Sequence, residues 1–216
     1  LLREIWEPYL ECSPGEVDVY LSGIYHWMWV VKRKFLYQAK TYYPYMLCLF
    51  GSQNMGKSTL ITAFCKPFGG FLGGNTTIGM LVDERNFRMV SNKAILPVEE
   101  LAGASKADMD SFKQLITGSN KMGRVMFTTN QDTVQSVISL IGSTNKHIKD
   151  VLYDPTGMRR ILEVPLTGDL TEERERWISE NILEVWQSIN ENEHSPIHKE
   201  RYPESYQRLA AIQSLQ

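Results

Sequence analysis

The residues Gly51-Ser52-Gln53-Asn54-Met55-Gly56-Lys57-Ser58 place two glycines around a four-residue gap and follow them with a lysine and a hydroxyl. This is the pattern G-x-x-x-x-G-K-[ST] with nothing missing. Its glycines let successive backbone N–H groups turn toward one phosphate chain. The Lys57 ammonium can reach the β- and γ-phosphates, and the Ser58 hydroxyl can ligate Mg²⁺. The expected ligands are therefore ATP and Mg²⁺, with Gly51 to Thr59 as the binding segment.

Hydrolysis needs further groups. Glu99-Glu100 directly follows the apolar stretch Ala94-Ile95-Leu96-Pro97-Val98. One carboxylate, assigned to Glu99, can hold the metal beside Ser58, and Glu100 can polarise an attacking water. The alternative is a pair of surface acids at a strand end. Asn145 stands in Ser143-Thr144-Asn145 after a third apolar stretch, where its amide can orient that water or simply close a turn. Arg159 and Arg160 follow Asp154-Pro155-Thr156-Gly157-Met158, and a guanidinium there can stabilise charge on a transferred phosphoryl group, in cis or from a neighbouring subunit. One arginine is expected to be catalytic and the other structural, for instance bridged to an acid such as Glu163.

The elements that must position these groups are readable around them. Met46 to Phe50 is an apolar run of the kind buried in parallel sheets, and Thr59 to Phe64 can continue as a helix. Ala94–Val98, Ser136–Gly142 and Arg160–Val164 read as further strands, with Pro97 pointing to an edge or a strand end. Residues 1–16 allow only short helical turns around Pro8 and Ser13-Pro14-Gly15. Residues 17–38 read as an amphipathic helix whose stripe Tyr20, Ile24, Trp27, Val31 and Phe35 is expected to pack on the next domain. Gly69-Gly70-Phe71-Leu72-Gly73-Gly74 reads as a loop. Ser105 caps a helix through about Thr117, and Val125–Gln135 contains two β-prone pieces around Thr129 to Asp132, a hairpin pattern. Thr171 caps a long helix running to about Asn190, and a short one covers Tyr206 to Leu215.

Bulk composition bounds the possibilities. A net charge of −2 over 216 residues excludes a generally basic nucleic-acid binder, so DNA contact requires a local patch or a ring of subunits. Cys12, Cys48 and Cys65 are odd in number and lack metal-ligand spacing, which predicts reduced thiols and a cytoplasmic setting. The most apolar helical stretch, Val17–Val31, contains Asp18 and His26 and is too short to span a bilayer. No membrane partner is expected. The chain opens Leu1-Leu2-Arg3 rather than with Met, which points to a piece of something longer.

The segments GSQNMGKST, PVEEL, SKADMDSFKQLIT, SLIGSTN and DPTGMRRILEVPL together resemble the ATPase core of the virulence-associated E family of phages, phage satellites and other mobile elements. That family is similar to superfamily 3 helicases within the AAA+ class, and the resemblance covers roughly residues 20–167. It implies an α/β P-loop fold: a three-layer sandwich with a mainly parallel central sheet and helical N- and C-terminal additions (1–40, 41–167 and 168–216). It also implies a ring, often a hexamer, around single- or double-stranded DNA near a replication origin in a bacterial or phage-infected cell, with a primase or other replication protein as a possible partner. Carried over by position, Lys57 and Ser58 hold nucleotide and metal, Glu99 and Glu100 form the acidic motif, Asn145 is the first sensor, and Arg159 or Arg160 is the finger from the adjacent subunit. The segment before the sensor strand resembles a hairpin aimed into the ring channel, which implies DNA contacts for Lys121, Arg124 and Lys146. This chain departs from the family pattern at Pro97, where an acid is common, and in having Ser-Thr-Asn for Thr-Thr-Asn. Arg124 and Phe127 stand where Arg and Tyr are usual.

The function expected is an ATP-driven DNA helicase or translocase in replication of a mobile element. The alternative is a nucleotide-switched initiator or assembly ATPase without unwinding. A small-molecule kinase predicts an acceptor pocket and a lid, and does not call for the acid, sensor and arginine in this order.

Overall fold

The apolar run before the glycine loop forms β1 (Met46–Phe50), an inner strand of a four-stranded sheet. The computed structural model describes residues 1–39, 41–83, 86, 93–99, 106–117, 120–124, 131–135, 137–151, 158–168 and 170–216; of residues 82, 106–109, 120–124, 131–135 and 158 it describes the backbone alone. The other sheet members are β2 (Ile95–Val98), β5 (Ser139–Thr144) and β6 (Ile161–Pro165), in spatial order β2-β5-β1-β6 and parallel throughout. A separate antiparallel hairpin is made by β3 (Asn120–Arg124) and β4 (Gln131–Gln135).

Helices cover both faces, as parallel sheets require. Leu47, Leu49, Ile141, Leu162 and Val164 share one core with α2 (Pro14–Tyr37), α3 (Lys57–Cys65) and α7 (Glu172–Ser188), joined by Leu209 of α8 (Pro203–Leu215) and by Ile5 and Trp6 of α1 (Leu2–Trp6). Met46, Cys48, Leu96, Val98, Leu140 and Ile161 share the second core with α4 (Ile78–Val82), α5 (Lys106–Thr117) and α6 (Ile148–Val151). The chain is thus a three-layer α/β sandwich, and both terminal helical segments pack into the core of the sheet.

Several local expectations move by a few residues. The long helix begins at Pro14 rather than at 17, because Ser13 N–H and Oγ–H both donate to the Glu16 carboxylate (3.0 and 2.6 Å) and Pro14 fits the first helical turn. Its stripe is core, with Tyr20, Ile24, Trp27 and Val31 buried. The third expected strand begins at Ser139 rather than Ser136, because the Ile138 carbonyl is taken by the Lys34 ammonium at 2.9 Å instead of a strand partner. The hairpin's first strand is Asn120–Arg124, upstream of the β-prone pieces, so cross-strand pairing overrides the weak β-propensity of Asn-Lys-Met-Gly-Arg. Residues 125–130, like Ser105, lie outside the described residues. Pro97 does stand in an edge strand. On its free side the loop after α3 bridges β2 at Leu72↔Ile95 and Thr76↔Val98, and the Pro97 carbonyl accepts from Thr76 N–H and Oγ–H (2.9 and 2.8 Å).

Candidate nucleotide-binding site

β1 delivers the chain into the glycine loop at the C-terminal edge of the sheet, and α3 leaves it. Gly51 N–H donates to the Thr144 carbonyl at 3.3 Å, which ties the loop's start to the tip of β5. A side chain at Gly51 would meet the Leu166 carbonyl at 3.0 Å, and one at Gly56 would meet the Leu170 side chain at 2.8 Å. Gly56 also has φ +76°, and Asn54 φ +67°, left-handed values that glycine and asparagine tolerate best. The loop is therefore clasped between β5 on one side and Leu166 and Leu170 on the other.

Lys57 opens α3 with its side chain largely buried. Its ammonium donates to the carbonyls of Gly51 (2.8 Å) and Ser52 (2.6 Å) and to Asn145 Oδ1 (2.7 Å). Burial lowers its pKa below that of an ordinary lysine, and the nearby Cys48 works weakly in the other direction. Gln53, Asn54, Met55, Gly56, Lys57, Ser58, Thr59, Ser143 and Asn145 line a cleft of about 440 Å³. The donor set fits a phosphate chain: a glycine-bearing backbone turn, a lysine that a phosphate oxygen can recruit, and a serine hydroxyl on the same cleft.

Glu99 sits apart from this cleft. β5 lies between β1 and β2, so Glu99 is two strands, roughly 10 Å, from the phosphate-loop strand. The Glu99 carboxylate accepts from Asn75 Nδ2 at 2.6 Å, and its backbone N–H donates to Thr76 O at 2.9 Å. Glu100 lies outside the described residues. Asn145 occupies the intervening strand tip, between Lys57 and the acid strand.

The arginines stand at the opposite end of the sheet. The register pairs Ile161 with Met46 and Pro165 with Phe50, so Arg159 and Arg160 precede the strand whose far end adjoins the loop. Five strand residues separate the two levels, about 15 Å along the sheet. Arg159 is exposed, and its carbonyl accepts from Gln213 Nε2 at 3.2 Å. Arg160 is half-buried, and its pKa is lowered by burial first and by the Arg159 charge second. Glu163 is not their partner: its buried carboxylate accepts from His147 Nδ1 (2.8 Å) and Ile148 N–H (2.7 Å).

Of the basic residues, Lys121 and Arg124 belong to β3 and their side chains lie outside the described ones. Lys146 is exposed one residue beyond Asn145, beside the cleft rather than in the hairpin, with its backbone N–H and C=O both bonded to Thr144 Oγ1 (3.1 and 2.7 Å). Two site neighbours escaped the sequence reading: His147, stacked on Phe50 with ring centres 4.0 Å apart, and Glu163 as its anchor. The available signal was a lone acid inside the apolar strand Ile161-Leu162-Glu163-Val164, since a buried carboxylate needs a partner.

No helix among the described residues is long and apolar enough to cross a membrane. Among solved structures, the chain is similar to the apo form of the C-terminal region of NrS-1 (305–718), with TM-score 0.62 and 14% identity over 99% of this chain and 50% of that one. Two A-form apo structures of the same region align over 87% of this chain, one with TM-score 0.61, 15% identity and 43% of that chain, the other with 0.62, 17% and 44%. The chain therefore spans at most half the length of these neighbours, and at such identities the likeness establishes the shared fold. No curated protein matches by sequence. The model of the virulence-associated protein E-like domain matches residues 2–210, nearly the whole chain, and this chain belongs to that family.

Proposed function

We propose that this chain is the ATP-hydrolysing core of a DNA helicase or translocase that serves replication of a phage or mobile element and works as a ring, hexameric as the family resemblance implies. One observation carries the reading. Lys57 and Asn145 meet at one end of the sheet while Arg159 and Arg160 stand at the other, so an arginine that acts at this cleft would have to come from a neighbouring copy.

In this reading the Lys57 ammonium exchanges its carbonyl acceptors for β- and γ-phosphate oxygens, and the loop N–H groups bind the same chain of phosphates. Ser58 would ligate Mg²⁺ directly and Glu99, from two strands away, through water, and the ion would neutralise phosphate charge. Glu100 draws a proton from the attacking water, and Asn145, freed from Lys57, orients that water. A neighbour's arginine neutralises the charge that develops on the phosphoryl group. The β3–β4 hairpin, through Lys121 and Arg124, tracks DNA phosphates in the channel, with Lys146 as a further contact near the cleft. The setting is cytoplasmic, and a primase or other replication protein is a candidate partner.

The test is ATP turnover with and without single-stranded DNA, with oligomer mass followed in parallel. DNA-stimulated turnover by a ring supports the motor. Nucleotide binding that promotes assembly, without turnover, supports the second reading, a switch; that reading is favoured by the Glu99 carboxylate, which engages Asn75 and does not line the cleft.

A further inference from the structure

After β5 the chain turns at residues 145–147 into α6, whose Ile148 packs in the second core. That turn, Asn145 to Ile148, carries the amide that meets Lys57. Glu163 reaches it from β6: Oε1 accepts from His147 Nδ1 and Oε2 from Ile148 N–H, so both carboxylate oxygens are spent on this one short loop. The His147 ring lies over Phe50, the last residue of β1, and Thr144 Oγ1 closes the turn on the other side of Asn145. Asn145 is thus held between two fixed points, Thr144 before it and His147 after it.

Packing alone does not ask for an acid here. Glu163 is 3% exposed, and its neighbours on that sheet face, Cys48 and Ile161, are apolar and buried. A well-packed apolar side chain at such a position is commonly as stable as a buried charged one. The carboxylate does what an apolar group cannot, which is to fix the loop by two directed bonds.

Glu163 is itself held in place. β6 is the sheet's other edge strand, and side-chain amides from α8 and the residue after it close that edge: Gln216 donates to Glu163 O (2.6 Å) and accepts from Glu163 N–H (2.9 Å), while Gln213 donates to Arg159 O and Ile161 O (both 3.2 Å). The strand that anchors the Asn145 loop is therefore the one that begins at the arginine pair.

We propose that Glu163 and His147 are positioning residues that set the Asn145 amide for the hydrolytic step. This rests on the hydrolytic reading of the cleft. The two are separated by measuring turnover, binding of a fluorescent ATP analogue, and the Asn145 side-chain amide resonances in the full chain.

His147→Leu removes an exposed ring and leaves Glu163 its bond to Ile148, so it should fold. It should lower kcat about 10- to 100-fold, as misplacement of a catalytic group does, with KM and analogue affinity within about threefold of the parent. Glu163→Met should do the same. Glu163→Gln should recover most of that loss, because its amide can still accept from Ile148 N–H and donate to the other tautomer of His147. The Asn145 amide resonances should shift in His147→Leu and return toward the parent positions in Glu163→Gln. Parent-like kcat in His147→Leu, or affinity falling in step with kcat, overturns the positioning role. A parent that binds the analogue without turnover overturns the hydrolytic reading instead; unmoved Asn145 resonances then overturn the anchoring as well.

Discussion

The Lys57 ammonium and the Asn145 side-chain oxygen lie 2.7 Å apart, joining the phosphate loop to the tip of β5 across 88 residues of sequence. The bond gives the lysine its third acceptor after Gly51 O and Ser52 O, so all three ammonium protons are engaged. A phosphate that recruits Lys57 must replace at least one of these acceptors. Where the acceptor replaced is Asn145 Oδ1, capture of phosphate frees the amide.

This predicts different failures for the two side chains. Lys57→Ala should weaken nucleotide binding at least about 100-fold, since a charge-assisted phosphate contact is lost. Asn145→Ala should leave affinity within about threefold and cut kcat about 100-fold, as expected for a group that acts mainly on the transition state. Equilibrium binding and steady-state turnover on both variants separate the two roles.

The arginines predict complementation between subunits. About 15 Å of strand lies between their level and the loop, more than a guanidinium side chain can span within one chain. Lys57→Ala subunits keep intact arginines, and Arg159→Ala/Arg160→Ala subunits keep an intact loop. Each variant alone should be inactive, while a mixture should regain turnover at the mixed interfaces. Turnover measured across mixing ratios checks this, and a flat, inactive profile would leave the arginines a structural role.

What the sequence made legible was what is local. The phosphate loop, its strand and the edge character of Pro97 each depend on a few adjacent residues, and their structural context follows from those residues. Ser13 to Glu16 is equally local: Ser13-Pro14-Gly15 has the composition of a break, yet Pro14 suits a first helical turn and Glu16 caps it through Ser13. The hairpin strand at Asn120 has no propensity to announce it. The Glu163–His147 tether joins residues 16 apart through the turn after β5, and only the strand order brings them together. The lone acid in an apolar strand marked that something was there without naming its partner.

His26 predicts a pH dependence of stability. It is fully buried, its Nδ1 is 2.7 Å from Ser195 Oγ and its Nε2 is 3.1 Å from Tyr43 O, so Ser195 donates to Nδ1 and Nε2–H donates to the carbonyl. Burial pushes its pKa down to about 3, against smaller opposing effects of the Tyr43 and Tyr42 backbone bonds. The folded-state pKa lies below the unfolded one near 6.5, so the unfolded chain takes up the proton first as pH falls. The stability this histidine confers is complete above about pH 6.5 and lost between there and pH 3, by up to about 1.4 kcal/mol per pH unit. Urea midpoints at pH 7 and pH 5 should differ accordingly, and His26→Phe should flatten the difference.

Lys121 and Arg124 predict a salt-dependent DNA signature. If both meet phosphates, Lys121→Ala/Arg124→Ala should reduce the slope of log affinity against log salt by about 1.4 to 1.8 on DNA. Fluorescence anisotropy with a labelled single strand from 50 to 200 mM salt reads the slope directly. An unchanged slope would remove the hairpin from the DNA path.

Lys34 predicts how that hairpin is held. Its buried ammonium donates to Ile116 O (3.4 Å) near the end of α5 and to Ile138 O (2.9 Å) just before β5, so the end of α2 binds both feet of the β3–β4 insertion. Burial pushes its pKa down to about 8. Between pH 8 and 10.5 the folded chain has lost this proton while the unfolded chain keeps it, so this group makes stability rise with pH across that window. A neutral amine still carries two protons for the two carbonyls, so raising the pH to 9 should leave the feet closed. Lys34→Met removes a costly buried charge and should keep the fold, but it also removes both donors. Hydrogen exchange over residues 116–139 should therefore speed up in Lys34→Met at pH 7 relative to the parent. In the parent at pH 9 it should accelerate only by the intrinsic base-catalysed factor. Equal protection of Lys34→Met and parent would show that the hairpin is held by its other contacts.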